Sequence, residues 1–494
     1  MDNGLILGVD IGTSSTKGVL VDTAGTVVAQ VSRSHEPSRP KPGHVEMDGE
    51  LWWSEFCSIA RELSASAASH GAPIESVGVS GMGPCALLTD EAGTPLRPAI
   101  LYGVDTRSAA QIEAINARYG ADAILQRTGS ELSSQAIGPK LQWVADNEPE
   151  VWARARRLFM PASWLAWNLT GEYVLDHQSA SQMNPLYDST SLDWFAPWAD
   201  ELRGAISLPP LAWAGDQAGR VAEAAAEATG LPGGIPVIVG TIDAWTEAVS
   251  IGAHEVGDLM LMYGTTLFMI NTSAERSIHP ALWGTVGAFP NTFNFAAGMA
   301  TSGAITNWLD GLFGKPGFPA LIAEASQSPA GSNGLLMLPY FAGERTPIND
   351  PAARGVIAGL TLHHTRGDLY RAALEATAFG VRHNVEAMRA AGATIDRIVA
   401  VGGGTSSALW PQIVSDVTGL VQEMPTHSIG ASLGAAFLAA SLVTEVDISL
   451  WNPIQGSVEP DPERAEFYDS LYEQYRALHE RTSDIQHHLT TLQG

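Results

Sequence analysis

Residues 5–22 read LILGVDIGTSSTKGVLVD, and the fold class follows from them. Leu5-Ile6-Leu7-Gly8-Val9 is almost wholly apolar, as a strand covered on both faces of a sheet must be. The run stops at Asp10, turns through Gly12-Thr13-Ser14-Ser15 and resumes as an apolar strand over 18–21. A second turn at 22–25 sends a third strand back over 26–32. The first turn consists of small and hydroxyl-bearing residues. Such a turn exposes consecutive backbone N–H groups, which suit phosphate oxygens.

The same pattern returns near mid-chain. A strand over 236–240 ends in Thr241-Ile242-Asp243, and a strand over 258–263 runs into Gly264-Thr265-Thr266 before continuing over 267–271. Thr13 and Thr265 stand about half the chain apart, so the halves read as a duplicated α/β unit. Between and beyond these, helical periodicity covers 51–63 and 369–390, and the apolar segment 77–79 leads into Ser80-Gly81-Met82-Gly83-Pro84. A strand over 398–401 enters Gly402-Gly403-Gly404-Thr405-Ser406-Ser407, followed by a helix from about 408 and a small-residue helix over 431–442. Phe467, Leu471, Tyr475 and Leu478 repeat at helical spacing and predict a C-terminal surface helix. No low-complexity linker divides the halves, so the boundary falls near 250–260 and the domains are 1–254 and 255–494.

The 494 residues include 53 acidic and 27 basic side chains, a formal charge of −26, which argues against nucleic acid as a partner. Hydrophobic residues make up 45% and charged ones 16%, a composition that buries a core rather than staying disordered. The two cysteines, Cys57 and Cys85, make no disulfide framework, and no apolar run reaches the ~20 residues of a membrane span. A cytoplasmic protein without a membrane partner is expected.

Asp10 and Asp243 each close an apolar strand, one in each repeat of the pattern. Alone, such an Asp is as readily a solvated turn or a helix cap. As a pair facing one cleft they match phosphoryl transfer, which needs one carboxylate beside magnesium and another to take the alcohol proton. Neither Gly-Lys-Ser/Thr nor Gly-x-Gly-x-x-Gly is present, so the Walker and dinucleotide patterns are excluded. The thirteen histidines show no metal-ligand spacing. Trp245, beside Asp243, is the tryptophan best placed to stack on a sugar face.

These residues carry a family resemblance that spans nearly the whole chain. Val9-Asp10-Ile11-Gly12-Thr13-Ser14-Ser15 and Tyr263-Gly264-Thr265-Thr266 resemble the two phosphate loops of the FGGY carbohydrate kinases, in their xylulokinase-like branch. Gly402-Gly403-Gly404 with Ser407 and Trp410 resembles the adenosine loop, and Gly355-Val356-Ile357-Ala358-Gly359-Leu360 with Asp368-Leu369 and Ala372-Ala373-Leu374-Glu375 the C-terminal signature. Leu338-Pro339-Tyr340 with Gly343-Glu344-Arg345-Thr346-Pro347 is a further specific stretch, and Lys140-Leu141-Gln142-Trp143 resembles the N-terminal signature. The resemblance implies two duplicated actin-like, hexokinase-like (ribonuclease H-like) ATPase domains around a central cleft. It implies ATP and Mg²⁺, with Asp243 as catalytic base and Asp10 as the carboxylate holding the metal. Thr13, Ser14, Ser15, Gly264, Thr265 and Thr266 would cradle phosphates, and Gly303, Asn307, Gly403, Gly404 and Ala408 would contact the rest of the nucleotide. A homodimer is implied by analogy alone.

The departures concern the acceptor. Xylulokinases usually carry Gln-Met-His after Ser-Gly, and here Met82-Gly83-Pro84 stands, without the imidazole. Ala244 replaces the Asn that usually follows the base, and Tyr102-Gly103-Val104-Asp105 replaces Trp-Asn-Asp. Met82, Gly83, Asp105, Asp243 and Trp245 are the expected acceptor contacts. A ketose, a polyol or a sugar acid all remain open as substrates, and the alternative from another class is an actin- or chaperone-like ATPase without a sugar substrate. Turns 11–15, 259–273 and 398–415 hold no Asp or Glu, which leaves Asp10 and Asp243 as the expected carboxylates of the cleft.

Overall fold

The computed structural model describes residues 4–493. Its two large sheets repeat one topology. In the first, Leu5–Ile11 pairs antiparallel with Ser15–Asp22, which pairs antiparallel with Val27–Ser34. On its other side Leu5–Ile11 runs parallel to Ile74–Gly81, followed by the parallel Pro236–Ile238 and the antiparallel Gln217–Arg220. In the second sheet Asp258–Tyr263 takes the place of Leu5–Ile11. It is antiparallel to Leu267–Ser273, which is antiparallel to Phe293–Met299. Its other neighbours are the parallel Arg397–Gly402 and Gln422–Pro425 and the antiparallel Ile454–Val458. The duplicated α/β fold expected from the sequence is the fold observed, with one correction: the strands at 236–238 and 241–242 that lead to Asp243 pair within the first sheet, so Asp10 and Asp243 do not come one from each repeat.

Both hairpin turns close alike. The Gly12 N–H donates to the Ser15 carbonyl at 3.0 Å, and the Gly264 N–H to the Thr266 carbonyl at 3.0 Å. Each turn lies at the C-terminal end of a strand with a parallel neighbour, where ligands of open α/β sheets collect.

The halves are interwoven. Helix Ala431–Ala440, buried along its whole length, crosses from the second half onto the first sheet. Its contact is too close for side chains: a Cβ at Gly8 would collide with the Ser432 carbonyl oxygen, one at Gly78 with that of Ala435, and one at Gly434 with that of Thr246. Helix Ala431–Ala440 is therefore held between strand 5–11 and helix Asp243–Ser250 by backbone contact.

The C-terminal helix Ala465–Thr490 buries Tyr468, Tyr472 and Tyr475 in the second core, with the Tyr475 hydroxyl 2.8 Å from that of Tyr340. Phe467, which the spacing argument counted in the stripe, lies one position off it and is 45% exposed. The other three residues of that stripe face the same core as the tyrosines: Tyr475 is buried, and Leu471 and Leu478 pack partly buried against it. Among the described residues no helix is long and apolar enough to cross a membrane.

The glycine contacts make a stability prediction. Gly8→Ala forces a methyl group into backbone and should cost at least about 3 kcal/mol, lowering the melting temperature by about 6–12 °C. Gly233→Ala, exposed and in ordinary contact only, should change stability by less than about 0.5 kcal/mol. Indistinguishable melting curves for the two variants would contradict the close contact.

Candidate active site

A cavity of about 370 Å³ opens between the two sheets. Of the residues expected from the sequence, Asp10, Met82, Gly83, Asp243, Trp245 and Thr266 line it. Strand pairing brings them together. Asp10 lies opposite Ser80 in parallel register, and Thr241 and Ile242 pair with Ser80 and Gly81, so three strand ends meet. Asp243 then opens helix Asp243–Ser250, and its carboxylate accepts the Ala244 N–H at 2.7 Å.

Bonds on both sides hold Asp243 in place. The Thr241 hydroxyl donates to Asp176 at 2.6 Å, and the Ser80 and Thr246 hydroxyls lie 2.9 Å apart. Burial raises the Asp10 carboxyl above the ordinary carboxylate range, and the Asp243 charge raises it further. Burial raises Asp243 as well, against the opposing Ala244 N–H. Glu247, one helical turn after Asp243, also lines the cavity and is pushed up to about 7 by burial and by Asp243. Glu131 stands on the far wall. The expectation that Asp10 and Asp243 are the cleft's carboxylates is thereby corrected: the acid-free turns said nothing about a helix face or a loop elsewhere.

The nucleotide candidates line up along the second sheet. Ser302 and Gly303 donate their N–H groups to the carbonyls of Thr265 and Gly264, at 3.1 and 3.0 Å, which seats helix Gly303–Leu312 and its exposed Asn307 on the turn. Tyr263 is the parallel partner of Gly402, so the 403–404 turn and Ala408 lie beside the 264–266 turn. Across the cleft, the Thr13 hydroxyl lies 2.9 Å from the Tyr102 hydroxyl, and Ser14 and Ser15 continue the turn, Ser14 exposed and Ser15 partly so.

Two expected acceptor contacts look different in place. Asp105 is fully buried, chelating the Arg107 guanidinium and accepting the Val45 N–H, and it does not line the cavity. Trp245 reaches the cavity edge, but its indole N–H donates to Asn294 of the second sheet at 3.0 Å, so it also joins the two halves.

Other lining residues went unread in the sequence. Gln182 Nε2, Asn184 Oδ1 and Thr285 Oγ1 are buried, line the cavity and have no hydrogen-bond partner, and Asp10 Oδ1 shares that condition. Buried polar atoms are seldom left so, and a polyhydroxyl ligand would satisfy them. Phe268 and Trp283, stacked with ring centroids 6.2 Å apart, form an apolar wall beside them. The wall at 133–136 is backed by Lys140, fully buried, whose ammonium donates to the Ser134 carbonyl at 2.6 Å and whose pKa burial lowers to about 8. The cavity's cations are Lys17, opposite Asp10 in the hairpin, and Arg345, and neither makes an ion pair among the described residues. Lys17 was readable from hairpin register.

Comparison with known proteins agrees with this fold. The model for the N-terminal domain of the FGGY family of carbohydrate kinases matches residues 5–250, and that for its C-terminal domain matches 259–443. A xylulose kinase of Staphylococcus epidermidis is 29% identical over 99% of both chains, and one of Klebsiella pneumoniae is 30% identical over 94% of this chain and 96% of its own. The crystal structure of xylulose kinase from Rhodospirillum rubrum superposes with a TM-score of 0.92 at 32% identity, covering 98% of this chain and 100% of that one. The chain belongs to the FGGY family of carbohydrate kinases and is an enzyme that phosphorylates a sugar with ATP.

Proposed function

We propose that the acceptor is a neutral ketose of the xylulose type, bound among Gln182, Asn184 and Thr285 with its C–H face against Phe268 and Trp283. The observation that carries this reading is the set of partnerless buried polar atoms around a cavity that also exposes Asp243. An amide nitrogen, an amide oxygen and a hydroxyl offer both donors and acceptors to sugar hydroxyls. Glu131 on that wall disfavours a sugar acid, whose carboxylate it would repel. The relatives named as xylulose kinases support the ketose.

Asp243 takes the proton of the attacking hydroxyl as its oxygen bonds to the γ-phosphorus and the bond to the β,γ-bridging oxygen breaks. A carboxylate fixed by Thr241, Thr246 and its own helix terminus loses little entropy in doing so. Turns 13–15 and 264–266 hold the phosphates from the two halves, with 303, 307, 403, 404 and 408 along the rest of the nucleotide. Asp10, with Glu247 beside it, would hold magnesium. Its bare Oδ1 and the crowding of three carboxyls fit a cation that keeps several waters and takes one or two carboxylates. When bound, the metal supplies charge neutralisation for the phosphates.

Asp243→Asn should keep ADP affinity and lower kcat by about 10²–10⁴-fold, measured by ADP release with saturating acceptor. The base works as a carboxylate and its pKa is raised. In the parent enzyme kcat/KM should therefore be lost as pH falls through a midpoint above the ordinary Asp value of about 3.9. An acid limb at or below that value would contradict the assignment.

Asn184→Ala and Gln182→Ala should each raise the KM of the best acceptor by about 10–100-fold, with smaller changes in the KM of ATP. Equal effects on both substrates would move these residues off the acceptor site. Chelating magnesium should weaken ATP binding by at least about tenfold in calorimetry, because Asp10, Asp243 and Glu247 then face the phosphates unscreened. Equal affinity with and without the metal would contradict that placement.

A further inference from the structure

Arg345 lies on a loop fixed at every point except its own side chain. The Glu344 carboxylate accepts the N–H groups of Ala300 and Arg345, each at 2.8 Å. Glu344 and Asp350 exchange backbone bonds at 2.8 and 2.9 Å, and the Thr346 carbonyl accepts from Asn384 at 3.1 Å. The C-terminal helix completes the clamp: His487 lies 2.7 Å from the Asp350 carboxylate, and the Thr490 hydroxyl donates to the Ala352 carbonyl at 2.8 Å. The guanidinium that this scaffold carries is exposed, lines the cavity, and makes no ion pair or side-chain hydrogen bond among the described residues. In a chain with twice as many acids as bases, an unpaired arginine inside a cleft has its charge directed at something else.

Its position within the cleft narrows the choice. Arg345 and Tyr102 line the same cavity, and the Tyr102 hydroxyl lies 2.9 Å from that of Thr13 in the first hairpin turn. Arg345 therefore enters from the second half a cavity whose Tyr102 reaches the 13–15 turn, while Lys17 comes from the first half beside Asp10. Two cations, one on each side of the cleft, match a group that carries charge on three equatorial oxygens as it passes from one oxygen to another. Arginine's planar fork suits two of those oxygens at once.

We infer that Arg345 is a further catalytic residue, contacting the γ-phosphoryl group during its transfer from ATP to the acceptor hydroxyl. In that step the acceptor oxygen–phosphorus bond forms, the bond to the β,γ-bridging oxygen breaks, and the proton passes to Asp243. The guanidinium donates hydrogen bonds to the equatorial oxygens and exchanges no proton. The inference rests on the proposed seat of the phosphates at the 13–15 turn.

Steady-state kinetics of the full-length enzyme test it. Arg345→Ala should lower kcat by about 10²–10³-fold while the KM values of ATP and acceptor stay within about threefold. Arg345→Lys should recover part of the loss, as a point charge without the fork. In the presence of acceptor, ADP with aluminium fluoride should bind Arg345→Ala more weakly by a similar factor, whereas ADP alone should bind equally well. The side chain holds no structural bond, so both variants should melt within about 2 °C of the parent. A kcat within threefold of the parent overturns the inference, and a rise confined to acceptor KM reassigns Arg345 to the sugar. Asp243→Asn measured alongside separates the two readings. Loss there with full activity in Arg345→Ala defeats this inference alone, and the reverse defeats the base assignment alone.

Discussion

The structure depends on a backbone-to-backbone contact. Helix Ala431–Ala440 from the second half lies so close to the first sheet that only glycine is tolerated at Gly8 and Gly78, and at Gly434 toward the next helix. Each contact stands next to a residue of the site. Gly8 is two positions before Asp10, Gly78 two before Ser80, and the Thr246 carbonyl met by Gly434 is three after Asp243. Glu247 lies against the start of the same helix, where a Cβ at Gly430 would come within 3.0 Å of its carboxylate. A methyl group at any of these points would shift the carboxylates relative to the second half, and therefore relative to the phosphates.

That rigidity lets the cleft hold groups in conditions water would not allow. Asp10, Asp243 and Glu247 are crowded and desolvated, each with its pKa raised. Several polar atoms on the opposite wall have no partners. Both conditions cost free energy in the empty enzyme, and the proposed ternary complex would relieve them in different parts: cation and phosphates at the carboxylates, sugar hydroxyls at the amides. The −26 overall charge leaves this balance untouched, because it resides chiefly on a solvated surface, whereas the cleft has its own two cations.

The sequence was legible where chemistry coincides with strand ends. Asp10, Thr13, Asp243, Gly264 and Thr265 each follow an apolar run, and a run that stops at a small-residue turn can be seen without coordinates. The polar wall proposed for the sugar was not legible, because Gln182, Asn184 and Thr285 look like ordinary polar loop and strand residues until burial and missing partners distinguish them. Glu247 needed helical register, and Arg345, although inside a recognised stretch, needed the third dimension to show that its partner is absent. Asp105 failed in the opposite direction. Its neighbourhood resembled a site, but Arg107 and the Val45 N–H take up its charge in the core.

The duplication copies the fold without copying the chemistry. In the first hairpin Asp10 lies opposite Lys17, and in the second the corresponding pair is Met262 opposite Phe268. All four line the same cavity. One half therefore offers a carboxylate and an ammonium, suited to metal and phosphate, and the other an apolar pair, suited to the C–H face of a sugar. Both hairpins keep the glycine turn, whose N–H groups would serve phosphate from each side in the proposed complex. With the proposed neutral acceptor, the charged group and the sugar meet different walls, and this asymmetry supplies both. A second aspartate at Met262 would surround the transferring group with negative charge, and an apolar pair at Asp10 and Lys17 would leave it unneutralised.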